Sequence, residues 1–240
     1  MYPIILKQVS KHYRLGSVDV PALQDVNLEI HPNRFTVIAG QSGSGKSTLL
    51  NLMGCIDRAD KGEVWVAGQD VRLLSDNALA DFRAVHLGFI FQNFNLLPVL
   101  SAYENVELPL RMLNVRGAIR KKRVMELLDA VGLADKTKNR PGQLSGGQRQ
   151  RVAIARALAT APKLVLADEP TANLDSQTGA GILALMRGMQ RELQVSFVFS
   201  SHDPQVLAEA DDAVFIKDGQ IMSIERCEPN QAPVKVEVMA

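Results

Sequence analysis

Nine consecutive residues carry the clearest chemistry in the chain: Gly40, Gln41, Ser42, Gly43, Ser44, Gly45, Lys46, Ser47 and Thr48. They fit the pattern G-x-x-x-x-G-K-[ST] without mismatch. The spacing has a physical reason. Glycines let the backbone take positive φ and turn successive N–H groups inward as a nest for an anion. In such a loop Lys46 reaches the β- and γ-phosphates of a nucleotide and Ser47 offers its hydroxyl to Mg²⁺. The flanks agree. Residues 35–39 read as a buried strand and residues 47–53 as a helix whose N-terminal dipole faces the phosphates.

A second candidate phosphate site lies about a hundred residues further on. Leu144 is followed by Ser145, Gly146, Gly147 and Gln148, and then by residues 149–158, small and apolar at helical spacing. Ser-Gly-Gly at a helix N-terminus offers free N–H groups, no obstructing Cβ and the positive end of the dipole. Residues 163–170 form an apolar run that ends in Asp168 and Glu169. A run without alternation suits a central parallel strand, and ligands bind beyond the carboxyl ends of such strands. Asp168 is therefore placed to hold Mg²⁺, and Glu169 to orient or deprotonate water. Two further buried strands end in polar residues: residues 88–92 in Gln92, and residues 195–201 just before His202.

The elements that must position these groups follow from pattern. Residues 3–9 and 23–30 read as strands, the second alternating as a half-buried antiparallel strand does, with residues 11–14 a polar stretch between them. Within that stretch Tyr13 offers an aromatic face on which a base could stack, although alone it reads as a surface or packing tyrosine. His12 reads as surface. Residues 62–68 form a glycine-bounded strand with Trp65 in the core. Residues 77–86 and 101–131 read as helical, the latter opened by a Ser101/Glu104 capping box and closed by Gly132. The basic run at residues 116–123 reads as a solvated helix face. Asp218 and Gly219 between two apolar runs give a strong hairpin signal. Residues 227–240 read as a loose tail, in which 234–238 alternate and could add a strand.

Bulk properties bound the function. With 240 residues the chain suits one large domain, and 46% apolar content is ordinary for a globular core. The 27 basic and 26 acidic residues leave a net charge of +1, which gives no global attraction to nucleic acid or to an anionic membrane. Cys55 and Cys227 lie far apart and match no metal spacing, so a reducing compartment is expected. The N-terminus lacks the pattern of a signal peptide, and no apolar stretch approaches 18 residues, so a membrane role is expected to come through a partner.

Taken in order, the P-loop, Gln92, Leu144 to Gln148, Asp168, Glu169, Asp175 and His202 resemble the ATPase subunit of an ABC transporter over roughly residues 4–225. Residues 91–98, 104–109 and 167–176 are similar to those of the lipoprotein-releasing and macrolide-exporter (LolD/MacB-like) group within that family. The resemblance implies an α/β fold: a RecA-like P-loop NTPase core with a mixed central sheet, an N-terminal antiparallel β subdomain, and a helical signature subdomain over about 93–160. All lie in one domain spanning 1–226. It implies that Tyr13 stacks on adenine. Ser47, Gln92 and Asp168 would hold Mg²⁺, with Gln92 also sensing the membrane partner. Glu169 would be the general base, and His202 would contact the γ-phosphate and hold water and Glu169 in place. Ser145, Gly146, Gly147 and Gln148 would bind the γ-phosphate of ATP held by a second copy of the chain, and Asp175 would cross that interface. Residues 93–100 would form the groove for a permease subunit that often carries a periplasmic domain. A peripheral location on the cytoplasmic face of the cell membrane is implied as well. Two departures are visible: Ser200 and Ser201 stand where the family more often has an apolar residue and Thr, and Ala172 where the group often has Gly.

Other classes fit less well. ABC-type ATPases of chromosome maintenance insert a long coiled coil between P-loop and signature, those of translation usually carry two cassettes, and a purely regulatory module would be expected to lack Glu169 or His202. A small-molecule kinase would lack the Leu-Ser-Gly-Gly-Gln run. A non-transport ABC-type ATPase serving cell division or another membrane process is the alternative within the family.

Overall fold

The computed structural model describes residues 2–227 and 234–236. Two sheets enclose the first helix. β1 (Ile4–Leu15) and β2 (Val18–Ile30) pair antiparallel, and β4 (Lys61–Val66) and β5 (Gln69–Asp70) extend that sheet in the order β2-β1-β4-β5. β3 (Phe35–Ala39) belongs to the other sheet. There it joins β6 (Leu87–Ile90), β7 (Leu164–Asp168), β8 (Ser196–Ser201), β9 (Asp212–Lys217), β10 (Gln220–Arg226) and β11 (Val234–Val236), in the order β11-β10-β9-β3-β8-β7-β6. The pairs β9–β3, β3–β8, β8–β7 and β7–β6 are parallel, and β10 and β11 are antiparallel, so the central sheet is mixed.

Strand alternation divides the core in two. Leu164, Leu166, Val198, Val214 and Ile216 face α1 (Lys46–Met53) and the antiparallel sheet. Val165, Ala167, Phe197 and Phe199 face the other way, toward α3 (Ala102–Met112), α4 (Gly117–Ala130), α5 (Gly146–Ala157) and α6 (Ser176–Leu193). On that side Phe35 lies 4.1 Å from Phe199, centroid to centroid, with the Arg187 guanidinium 4.6 Å above the Phe35 ring. Covering on both faces is what the unalternating apolar runs require. The hairpin signal is met: Asp218 and Gly219 both have positive φ, 48° and 77°, as a two-residue turn with primed geometry demands.

Several expectations need correcting. Residues 11–14 belong to β1, because register shifts between Leu6 and His12 let the strand continue through an irregular pairing with β2. Trp65 is only half-buried. Val64 and Val66 take the core face of β4, so alternation turns Trp65 outward, where its indole donates to Glu63 Oε2 at 3.0 Å. The helical stretch 101–131 splits into α3 and α4. The basic run is not simply solvated: Arg120 pairs with Glu107 at 2.7 Å, and Arg123 donates to the Leu158 carbonyl at the end of α5. The strand that alternation allowed over 234–238 is met in part, by β11, which pairs with β10. The rest of that reading, including 237 and 238, lies outside the described residues.

Residues 93–100 run beside an apolar groove. The groove, of about 390 Å³, opens between α2 (Asp76–His86), β6, α3 and α5, but residues 93–100 contribute only Asn95 to it. Leu96 packs toward the core instead. Asn105, fully buried on α3, holds this segment in place: its amide accepts from Leu97 N–H at 2.8 Å and donates to the carbonyls of Leu97, Leu100 and Ser101. Asn105→Ala would leave these groups unpaired. It is expected to destabilise the fold by about 2 kcal/mol in denaturant titration and to raise hydrogen exchange over residues 97–101.

Candidate active site

The site is built by strand register. Ala39 stands opposite Ser201, Asp168 opposite Ser200, and Ile90 opposite Ala167. Four adjacent parallel strands therefore end together, and the loop after each delivers its polar group to one edge. The P-loop follows β3, His202 follows β8, Asp168 and Glu169 end β7, and Gln92 follows β6. They line a cleft of about 730 Å³ that holds Gln41, Ser42, Gly43, Gly45, Lys46, Ser47, Thr48, Gln92, Asp168, Glu169 and His202.

The loop itself is a shaped backbone. Gly45, with φ 105°, enters α1 without a side-chain cap, so the first N–H groups of the helix stay free. A Cβ at Gly45 would lie 2.7 Å from the Ala22 carbonyl, and one at Gly40 2.3 Å from the Ile216 carbonyl, so a larger residue has no room at either position. Gly219 N–H donates to the Ser44 carbonyl at 3.0 Å, which ties the loop to the β9–β10 turn. The buried Lys46 places its ammonium over this backbone by donating to the carbonyls of Gly40 and Gln41 at 2.8 and 2.9 Å. The result is a cationic, N–H-lined cradle for phosphate.

The acidic end faces it. Glu169 has φ 45°, a conformation costing an L-residue with a side chain about 1–3 kcal/mol. It persists because Glu169 N–H donates to the Ser200 carbonyl at 3.0 Å and its own carbonyl accepts from Ala172 N–H. Its carboxylate lies 2.9 Å from His202 Nδ1. The buried Ser200 donates its hydroxyl to Asp168, which fixes how that carboxylate points. Gln92 is anchored through its carbonyl, which accepts from Asn173 Nδ2 at 2.9 Å. Glu169 and His202 form an oriented carboxylate–imidazole pair beside a phosphate cradle, which suits the activation of water for attack on phosphorus.

The remaining predicted residues lie outside this cleft. Gly40 and Ser44 shape the loop from behind. Ser145 caps α5: its hydroxyl accepts from Gln148 N–H at 3.2 Å, and Gln148 Oε1 accepts from Ser145 N–H at 2.9 Å. Gly146 and Gly147 follow as the first turn, and a Cβ at Gly147 would lie 2.6 Å from the Thr178 methyl. Asp175 caps α6 by accepting from Thr178 N–H, and its hydrogen bonds from Thr178 hold its carboxyl below the usual carboxylate range. Tyr13 pairs with Val20, which lines the cleft, in the β1–β2 register. Its hydroxyl donates to Asp57 at 2.8 Å, and partial burial together with that contact raises its pKa.

A family profile described as ABC transporter matches residues 23–172. The chain belongs to the ABC transporter family. An uncharacterized ABC transporter ATP-binding protein of Thermotoga maritima is 49% identical over 92% of this chain and 94% of its own length. The macrolide export ATP-binding/permease protein MacB of Psychrobacter arcticus is 42% identical over 95% of this chain, which spans 34% of that longer protein. An ATP-binding cassette of Methanocaldococcus jannaschii, solved as a dimer in a post-hydrolysis state bound to ADP and Pi, superposes with a TM-score of 0.86. It shares 42% identity over 94% of this chain and 99% of the solved one. The ABC cassette described here thus binds and hydrolyses ATP, and its fold is the expected α/β cassette.

Sequence reasoning missed two parts of this cassette's site. Val20, Pro21 and Ala22 line the cleft from β2, and no local pattern marks them, because only the folding of one sheet over the other brings them there. Ser200 was visible as a departure from the usual apolar residue, but its bond to Asp168 needs the β7–β8 register. A charge-assisted hydrogen bond contributes about 1.5–3 kcal/mol, and each 1.4 kcal/mol is tenfold in affinity. Lys46→Ala is therefore expected to weaken ATP binding by roughly 10- to 100-fold, measured with a fluorescent ATP analogue.

Proposed function

We propose that the chain is the ATPase subunit of a transporter or force-transmitting system of the lipoprotein-releasing and macrolide-exporter kind, acting as a head-to-tail homodimer with ATP at the interface. One observation carries this. The P-loop, Gln92, Asp168, Glu169 and His202 share one cleft, whereas the second N–H-rich terminus, at Ser145 to Gln148, lies outside it. Two phosphate sites that one copy does not bring together are complementary halves for two copies. The solved relatives from Methanocaldococcus jannaschii are dimers, which supports the same arrangement here.

In this reading Lys46 and the loop amides hold the phosphates, and Glu169 takes the proton of the attacking water while His202 holds Glu169 and contacts the γ-phosphate. Tyr13 supplies the face for adenine. Ser145, Gly146, Gly147 and Gln148 meet the γ-phosphate held by the other copy, and Asp175 crosses to the opposite P-loop. Ser47, Gln92 and Asp168 suit Mg²⁺ because all three offer hard oxygen donors. Mg²⁺ held by so few protein ligands keeps phosphate oxygens and water in the rest of its shell. When bound, Mg²⁺ offsets charge on the phosphates. ATP bridging the copies favours the closed dimer and hydrolysis releases it, so closure follows nucleotide state through differential affinity.

Among the described residues no helix is long and apolar enough to cross a membrane. The motion is delivered to a permease subunit with a periplasmic domain, which seats a short helix in the groove walled by Leu108, Pro109 and Met112. In this reading the subunit works at the cytoplasmic face of the membrane. The MacB relative, an ATP-binding/permease protein of which this chain spans 34%, supports a permease partner.

Glu169→Gln is expected to keep ATP binding and lose about 10²–10⁴-fold in turnover, read by phosphate release; near-normal turnover would remove Glu169 from the role of base. Ser145→Arg is expected to leave ATP binding to the monomer intact while abolishing ATP-dependent dimerisation in light scattering. Dimerisation at the unsubstituted level would refute the two-copy site.

A further inference from the structure

α5 begins at the signature residues and runs against the segment that carries Glu169. Gln150, in its second turn, is fully buried. Its Nε2 donates to the Pro170 carbonyl at 2.7 Å, and its Oε1 has no partner. An amide buried with half its capacity unmet is costly, and an apolar side chain of the same size would pack there without that cost. The one bond it makes lands on the residue after Glu169. Pro170 has no N–H, so its carbonyl is the only polar backbone group by which it can be held. Glu169 is already strained at φ 45°, and its N–H is tied to Ser200 at the end of β8. The strained turn is therefore clamped from two sides, by the sheet through Ser200 and by the signature helix through Gln150. Strained backbone persists only where its surroundings over-determine it.

We propose that Gln150 is a positioning residue that aims Glu169 and makes its aim depend on the pose of α5. This rests on Glu169 being the base and on the α5 N-terminus meeting the partner copy's nucleotide. Engagement of Ser145 to Gly147 fixes α5, and α5 fixes Pro170 through one buried amide. Hydrolysis is thereby favoured only in the closed pair, and ATP held by a lone copy is spared.

The test is a double-mutant cycle with Gln150→Met, which keeps length and apolar packing and removes the donor. Expected are a fall in kcat of about tenfold, an unchanged KM for ATP, and unchanged ATP-driven dimerisation in light scattering. In a Glu169→Gln background the same substitution is expected to cause no further loss, because it acts through Glu169. An unchanged kcat would overturn the proposal. So would a loss that repeats in full in the Glu169→Gln background, or one matched by an equal loss of dimerisation, either of which assigns Gln150 to packing alone. Gln150→Leu gives the same measurements should the Met variant not accumulate. If Glu169→Gln itself retains turnover, the base assignment fails. If Glu169→Gln is slow and Gln150→Met is normal, only the positioning proposal fails.

Discussion

Parallel pairing of β3, β8, β7 and β6 is the constraint on which the rest of the molecule depends. Each pair fixes where its neighbour ends, so Ala39, Ser201, Asp168 and Ile90 reach the sheet edge together. A slip of one residue would turn every side chain on a strand to the other face. Here that is prevented by burial on both sides. Phe197 and Phe199 fill one core while Val198 fills the other, and neither environment accepts the alternative set. Apolar packing thus secures the register, and the register assembles the charged edge.

At that edge the polar groups are held by backbone more than by one another. The P-loop is braced from behind by the β9–β10 turn through Ser44 and Gly219. Lys46 is aimed by two carbonyls of its own loop, and Asp168 by the hydroxyl of Ser200 on the next strand. Asn173 fixes the Gln92 carbonyl, which links the loop after β6 to the segment between Glu169 and Asp175. That segment therefore adjoins Glu169, the loop after β6 and the N-termini of both α5 and α6.

Much of the cassette was legible in the sequence. The P-loop, the capping box at Ser101, the helix start at Ser145 and the Asp218-Gly219 turn are local, because their conformations are set by a few neighbouring residues. The extent of β1 was not legible, since register shifts between Leu6 and His12 interrupt the pattern before residues 12–15 pair regularly with 18–21. Nor was the half-buried state of Trp65, because alternation says that one face is covered and not which. The apolar groove walled by α2, β6, α3 and α5 was not legible either, since its walls come from segments far apart in the chain and only Asn95 of residues 93–100 reaches it.

By itself the sequence determined which chemical groups the site contains and which family the chain belongs to, because G-x-x-x-x-G-K-[ST], Leu-Ser-Gly-Gly-Gln and Asp-Glu at a strand end each encode a local geometry for phosphate, metal or water. Only the tertiary structure decided which of them meet. It gathers Lys46, Gln92, Asp168, Glu169 and His202 in one cleft and leaves Ser145 to Gln148 outside it. It also brings in Val20 to Ala22, which no local pattern marks, and joins Ser200 to Asp168 and Gln150 to Pro170, through contacts between segments far apart in the chain. Such contacts depend on register and packing across two cores, and no window of sequence contains both sides of either.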